Sequence, residues 1–109
     1  MENREKTFEA YLKKYLKGID WEQLTTLFGS PHMRTKKIAD PATLTHSELL
    51  YLSDLVGESP FKLFADFDCG KNTMTLLEIE QLKFVFSITA RDKEKAIQLI
   101  MKYEEAIAA

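Results

Sequence analysis

Two copies of a helix-start signal, the capping box, constrain the fold of this chain more than any other feature. Thr45 stands three residues before Glu48, and Thr75 stands three residues before Glu78. In this arrangement the threonine hydroxyl accepts one unpaired backbone N–H at the helix start, and the glutamate carboxylate accepts another. Leucine-rich segments follow both boxes. The sequence therefore predicts helices over residues 47–56 and 76–87.

Prolines, glycines and the spacing of apolar residues predict the other helices. Ser30-Pro31 and Ser59-Pro60 each join a capping serine to a proline at the first helical position, where the missing N–H is harmless. Apolar residues recur at helical spacing from residue 8 to residue 19, and Gly18 is expected to end that helix. Asp20 is the expected N-cap of the next one. The further predicted helices cover residues 21–28, 31–39, 92–107 and a segment that begins at residue 60.

Apolar residues cover more than one side of two predicted helices. In residues 47–56 they wrap most of the circumference, which predicts a central helix. In the helix that follows Thr75, one stripe contains Ile79 and Leu82 and another contains Leu77 and Ile88. A short strand over residues 84–89 is the alternative, because β-branched and aromatic residues cluster there. The phenylalanines expected in the core are Phe61, Phe64, Phe67, Phe84 and Phe86.

The composition fits one globular domain spanning residues 1–109. A hydrophobic content of 45% in 109 residues is enough for one core without a disulfide or a structural metal. Cys69 is the single cysteine, and the two histidines do not stand at zinc-ligand spacing from it. No apolar segment has the length of a signal peptide core or a membrane span, so we expect a cytoplasmic protein without membrane association.

Enzymatic and metal-binding motifs are missing from the sequence. The segment DFDCGKNTMTLLE has a superficial likeness to a calcium-binding EF-hand loop, but Lys71 occupies the glycine position and Leu77 the final ligand position. No phosphate-binding or dinucleotide-binding glycine loop is present, and no serine or cysteine nucleophile is framed by the expected residues. We therefore expect a non-enzymatic protein without a cofactor.

Charge is unevenly distributed along the chain, whose formal net charge is −2. Residues 1–41 contain eight Lys and Arg against six Asp and Glu, whereas residues 42–70 contain one against five. Residues 71–109 are balanced at six against six. Because phosphate contacts dominate DNA affinity, any DNA-facing surface is expected within the first 41 residues.

The helices predicted over residues 21–39 have the order of a helix-turn-helix: a short helix, a turn containing glycine and a second short helix. The following segment, ELLYLSDLVGESPFKLF, resembles the fourth and fifth helices of the lambda-repressor/Cro-like (Xre-type) family. The residues that carry this resemblance are Leu49, Leu50, Leu52, Ser53, Val56, Gly57, Ser59 and Leu63. In the DNA-reading pair, residues that agree with the family are Leu24, Gly29 and Ile38, and residues that depart from it are Thr25, Ser30 and Thr35.

The resemblance implies a compact five-helix bundle over residues 1–69, with the second and third helices reading DNA. Residues 70–109 then form a helical extension with two further helices. Exposed positions expected on the third helix are His32, Met33, Arg34, Lys36 and Lys37. Ser30 at its start is expected to contact phosphate, and Lys13 and Lys14 to add backbone contacts.

Individual roles follow from side-chain chemistry. Arg34 is the preferred base-reading residue, since a guanidinium can bond guanine in bidentate fashion, whereas Lys36 and Lys37 are expected at phosphates. The alternative is that these residues are merely the solvated C-terminus of a helix, where positive charge is favourable because of the helix dipole.

Two functional hypotheses follow from the sequence. The first is a sequence-specific transcriptional regulator that binds double-stranded DNA and forms a homodimer through its C-terminal helices. The second is a helical protein–protein interaction module that retains a repressor-like scaffold without binding DNA, because a fold does not fix a function.

Overall fold

The structure, a computed structural model, describes residues 7–108, and this part of the chain is all-α, as predicted. Seven α-helices follow one another, with a short 3-10 turn at Pro41–Thr43 between the third and the fourth. They are α1 (Phe8–Tyr15), α2 (Gly18–Phe28), α3 (Pro31–Ala39), α4 (His46–Val56), α5 (Pro60–Phe67), α6 (Leu76–Thr89) and α7 (Lys93–Ala108).

Cap chemistry determines where four of these helices begin. At α4 the Thr45 hydroxyl accepts the Glu48 N–H at 3.2 Å, and Glu48 Oε1 accepts the Thr45 N–H at 2.9 Å. Thr75 and Glu78 form the same pair of bonds at the start of α6, at 3.1 and 2.9 Å. Serine hydroxyls cap α3 and α5, whose first residues are prolines. The predicted starts of α3, α5 and α6 are confirmed, and α4 begins one residue earlier than predicted.

The junction between α1 and α2 differs from the prediction. α1 ends at Tyr15, and Gly18 begins α2 instead of ending α1. Asp20 is not the N-cap: it lies in the first turn of α2, where its carboxylate accepts the Lys17 backbone N–H at 2.9 Å. Because α2 begins earlier, Ile19 points away from the core and is 66% exposed.

α6 is helical throughout, so the alternative of a strand over residues 84–89 is wrong. Its capped start and the packing of Leu82 against the core outweigh the β propensity of the segment. Phe84, expected in the core, is instead exposed. α4 is also less central than predicted, since it buries Leu49 and Leu52 but leaves Leu50 and Tyr51 exposed.

One hydrophobic core joins α1 to α6. Its fully buried side chains are Phe61, Phe64, Leu12, Leu24, Leu44, Leu49, Leu52, Leu63 and Cys69. α7 closes the core from the side of α5, because the Tyr103 ring stands edge-on to Phe61 and Phe64 at centroid distances of 5.6 and 5.1 Å. The C-terminal helices therefore pack onto the same core as the rest.

Two backbone hydrogen bonds hold the connection between α5 and α6. Gly70 N–H donates to the Pro41 carbonyl at 2.8 Å, and Asn72 N–H donates to the Ala42 carbonyl at 3.0 Å. These bonds tie the turn after α5 to the 3-10 turn after α3. Within residues 7–108, no helix is both long and apolar enough to cross a membrane.

Candidate nucleic-acid interface

α2 and α3 form the most extensively packed pair of helices in the described chain. They are joined by Gly29, whose φ of 99° lies in the left-handed region that favours glycine. The Gly29 N–H donates to the Thr25 carbonyl at 2.9 Å and so completes the last turn of α2. Leu24 and Phe28 of α2 and Ile38 of α3 are buried in the core. The two helices thus share the core through these buried side chains.

Arg34, the residue predicted to read a base, is held against α2. Its Nη1 donates to Thr25 Oγ1 at 2.8 Å and lies 3.5 Å from the Trp21 carbonyl oxygen. Its guanidinium carbon stands 5.4 Å from the centroid of the Trp21 ring, within the range of a cation–π interaction. The Thr25 hydroxyl itself donates to the Trp21 carbonyl at 3.1 Å. The guanidinium is therefore oriented by contacts on two sides.

Thr25 has a physical role in this arrangement. Its hydroxyl accepts from Arg34 Nη1, and an alanine at this position would lack that acceptor. Trp21 and Thr25 are not predictable as site residues from local sequence, because their contacts with Arg34 span thirteen and nine positions of the chain, respectively.

Two further residues expected to be exposed on α3 are half-buried. Met33 packs against the core, and its backbone N–H donates to the Ser30 hydroxyl at 3.1 Å. Lys37 Nζ donates to the Thr43 carbonyl at 2.9 Å and pairs with Glu48 Oε1 at 3.2 Å. Because the charge of Lys37 is already neutralised within the chain, this lysine is less available to a phosphate than its position in the sequence suggests.

His32 and Lys36 are the members of the predicted set on α3 that are exposed. Neither side chain forms a hydrogen bond or an ion pair within residues 7–108. The outward side of α3 also includes Thr35, and α3 contains no acidic residue. This side of the helix thus presents donors to a ligand, as recognition of phosphate oxygens and base edges requires.

The two lysines predicted on α1 are exposed and lie near its end. Lys13 Nζ forms an ion pair with Glu9 at 3.2 Å, and Lys14 Nζ lies 5.6 Å from the centroid of the Tyr15 ring. The Lys13–Glu9 pair is at the surface, where ion pairs contribute little to stability. α1 also packs against α3. The predicted site residues therefore lie on two neighbouring helices.

Cys69, the cysteine of this chain, is buried in the core. Burial, with the neighbouring Asp68, raises the pKa of the Cys69 thiol far above its ordinary value, so this thiol stays protonated. No three His, Cys, Asp or Glu side chains of residues 7–108 are grouped so as to hold a metal ion.

Comparisons with protein-family models, with curated proteins and with solved structures gave no match to this chain.

Proposed function

We propose that this chain is a cytoplasmic, sequence-specific DNA-binding regulator that places α3 in the major groove and acts as a homodimer. The observation that carries the proposal is the composition of α3. Of the seven α-helices in residues 7–108, α3 alone has cationic side chains without an acidic one. Positive charge matters because neutralising phosphates releases counterions, which supplies essentially all of non-specific affinity. The tight turn between α2 and α3 is also typical of helix-turn-helix readers.

The contacts within the chain suggest different roles for the three cations of α3. Arg34 is fixed on Trp21, so its remaining N–H groups have a set direction and lose little entropy on binding. It remains the proposed base-reading residue. Lys36 is the proposed phosphate contact because it is exposed and unpaired within residues 7–108. Lys37 has to leave Glu48 first, so we expect it to contribute less.

Titration of a fluorescently labelled DNA duplex of mixed sequence at several NaCl concentrations tests the proposal. We expect the association constant to fall as salt rises, with a log–log slope of about −0.9 for each phosphate contacted. Lys36→Ala should make that slope shallower by about 0.9, the value of one phosphate contact, and Lys37→Ala should change it by less. Arg34→Lys should weaken binding although it keeps the charge, since an ammonium group lacks the planar fork that contacts Thr25 Oγ1 here and can form a bidentate pair.

Lys95→Ala is the matched control, because Lys95 is an exposed lysine on α7 and its loss removes the same charge. We expect this variant to keep the salt slope of the wild type. Failure of the wild-type chain to bind DNA at low salt would contradict the proposal. Equal losses in the Lys36 and Lys95 variants would show that overall charge, and not α3, determines binding.

A helical module that binds another protein is the second candidate function. It is favoured by the large apolar side chains that α6 leaves in water, notably Leu77 and Phe84, and by the net charge of −2. A protein of negative net charge is repelled by a polyanion unless positive charge is concentrated locally. This candidate predicts no DNA binding at low salt in the titration above.

A further inference from the structure

α6 has apolar residues on two sides, and one side is not used within the described chain. Ile79 and Leu82 face the core and are buried. On the opposite side, Leu77, Phe84 and Ile88 are 68%, 64% and 56% exposed. Positions 77, 81, 84 and 88 follow one another at helical spacing, so they form a single line along the helix. We name this line the α6 stripe: Leu77, Gln81, Phe84 and Ile88.

An apolar groove runs beside the α6 stripe and widens the exposed surface. It has a volume of about 600 Å³ and lies between α4, the start of α5 and α6. Its apolar lining consists of Leu50, Pro60, Leu82, Phe84 and Val85, and its polar lining of His46, Glu80 and Gln81. A contiguous exposed apolar patch of several hundred Å² is often functional.

We infer that the α6 stripe binds the α6 stripe of a second copy of this chain in antiparallel orientation. A two-fold axis passing between residues 82 and 83 sets Leu77 against Ile88 of the second copy and Gln81 against Phe84 of the second copy. Such an interface is isologous, meaning that both copies use the same surface. The inference rests on the homodimer of the proposed function and assigns its surface, and association through α6 requires no DNA.

The absence of charge along the α6 stripe favours a second copy as its occupant. None of its four side chains is ionisable, so antiparallel pairing sets no charges of the stripe itself against each other, although Glu80 lines the groove beside it. The spacing of the stripe is also the same in both directions along the helix, since its intervals are four, three and four residues. Self-complementarity of this kind is what a two-fold interface requires.

The exposed area is also sufficient for a weak dimer. With about 150–200 Å² for a fully exposed large apolar side chain, the stripe, Val85 and Leu50 present roughly 500 Å² in each chain. Two copies then bury about 1,000 Å², which lies at the lower limit for a specific interface. We therefore expect a reversible dimer, and not a permanent one.

α7 offers a second exposed apolar pair, Ile97 and Met101, but its surroundings are less suitable. Glu94 and Glu105 extend the same line of the helix at either end. In antiparallel pairing of two copies these glutamates come opposite each other, which is unfavourable. The contrast selects α6 as the interface.

Sedimentation velocity over chain concentrations from about 1 µM to about 500 µM, without DNA, tests the inference. We expect the mass to rise from 12.6 kDa toward twice that value. Phe84→Glu should raise the dimer dissociation constant at least tenfold. Ile19→Glu is the matched control, because Ile19 is 66% exposed on α2, and this variant should dimerise as the wild type does. Circular dichroism melts verify that both variants remain folded.

A charge pair tests the antiparallel register. Leu77→Lys and Ile88→Glu should each weaken the dimer, and the double variant should recover most of the loss, because each lysine then faces a glutamate of the second copy. A double variant as weak as the single ones overturns the register. A wild-type chain that stays monomeric throughout, or a dimer that Ile97→Glu abolishes and Phe84→Glu leaves intact, overturns the inference. A chain that stays monomeric would also remove the homodimer from the proposed function, but DNA binding by α3 is tested separately by the titration, because this assay contains no DNA.

Discussion

The variants Gly18→Ala and Gly29→Ala test where α2 begins. In the structure Gly18 is the first residue of α2, whereas sequence spacing predicts that Gly18 ends α1. Gly29 ends α2 with a φ of 99°, whereas Gly18 lies at the first position of α2 and outside the left-handed region. Neither glycine has a neighbour within 4 Å of the position that a Cβ would occupy. The two substitutions therefore differ in backbone conformation and not in steric crowding.

The two substitutions should change the free energy of unfolding in opposite directions. An alanine at Gly29 has to adopt the left-handed conformation, which costs about 1–2 kcal/mol. Part of this is offset by about 0.4–1 kcal/mol, because alanine restricts the unfolded chain more than glycine does. We expect a net destabilisation of about 1 kcal/mol and a Tm lower by about 4 °C. At Gly18 only the favourable part remains, so Gly18→Ala should stabilise the fold by about 0.5 kcal/mol.

Urea denaturation followed by far-ultraviolet circular dichroism measures both changes, provided that the slope of free energy against urea stays constant across the variants. If Gly18 instead ended α1 in a left-handed conformation, Gly18→Ala would destabilise the fold as much as Gly29→Ala. That result would refute the boundary between α1 and α2 described above.

Three further predictions concern the core, a cap and a titratable group. Phe61→Ala should cost about 3–5 kcal/mol in urea denaturation because Phe61 is fully buried. Phe84→Ala should cost less than about 0.5 kcal/mol, and equal losses would contradict the burial described here. Thr75→Ala removes the acceptor for the Glu78 N–H and should cost about 1 kcal/mol; an unchanged stability would show the cap to be unimportant. Burial, aided by nearby acidic groups, raises the pKa of Tyr11 to about 12, so stability should fall as pH rises from about 10 to 12, and less steeply in Tyr11→Phe.

Local cap chemistry made much of the fold predictable from the sequence. The starts of α3, α5 and α6 depend on a hydroxyl and a proline or glutamate within three residues, so no distant contact has to be known. The end of α2 was equally local, since Gly29 supplies the left-handed residue. The predicted N-cap at Asp20 was wrong because an aspartate can accept the N–H of the N-cap residue from the first turn of a helix, as Asp20 does for Lys17.

Tertiary contacts made the remaining features unpredictable. Two apolar stripes on α6 are equivalent in the sequence, and only the packing of α5 and α7 decides that Leu82 is buried and Phe84 is exposed. In the candidate site, the partners of Arg34 and Lys37 lie on other elements of the fold. The spacing of cations along α3 predicted which residues to consider, but not which of them were already paired.

Amide chemical-shift mapping of the full chain during titration with duplex DNA at low salt tests most directly whether α3 contacts DNA. The proposed function predicts that the largest shifts fall in α3 and in the turn at Gly29 and Ser30, including His32 and Lys36, with α6 and α7 little affected. A spectrum that DNA leaves unchanged, or shifts confined to α6 and α7, would contradict the role proposed for α3.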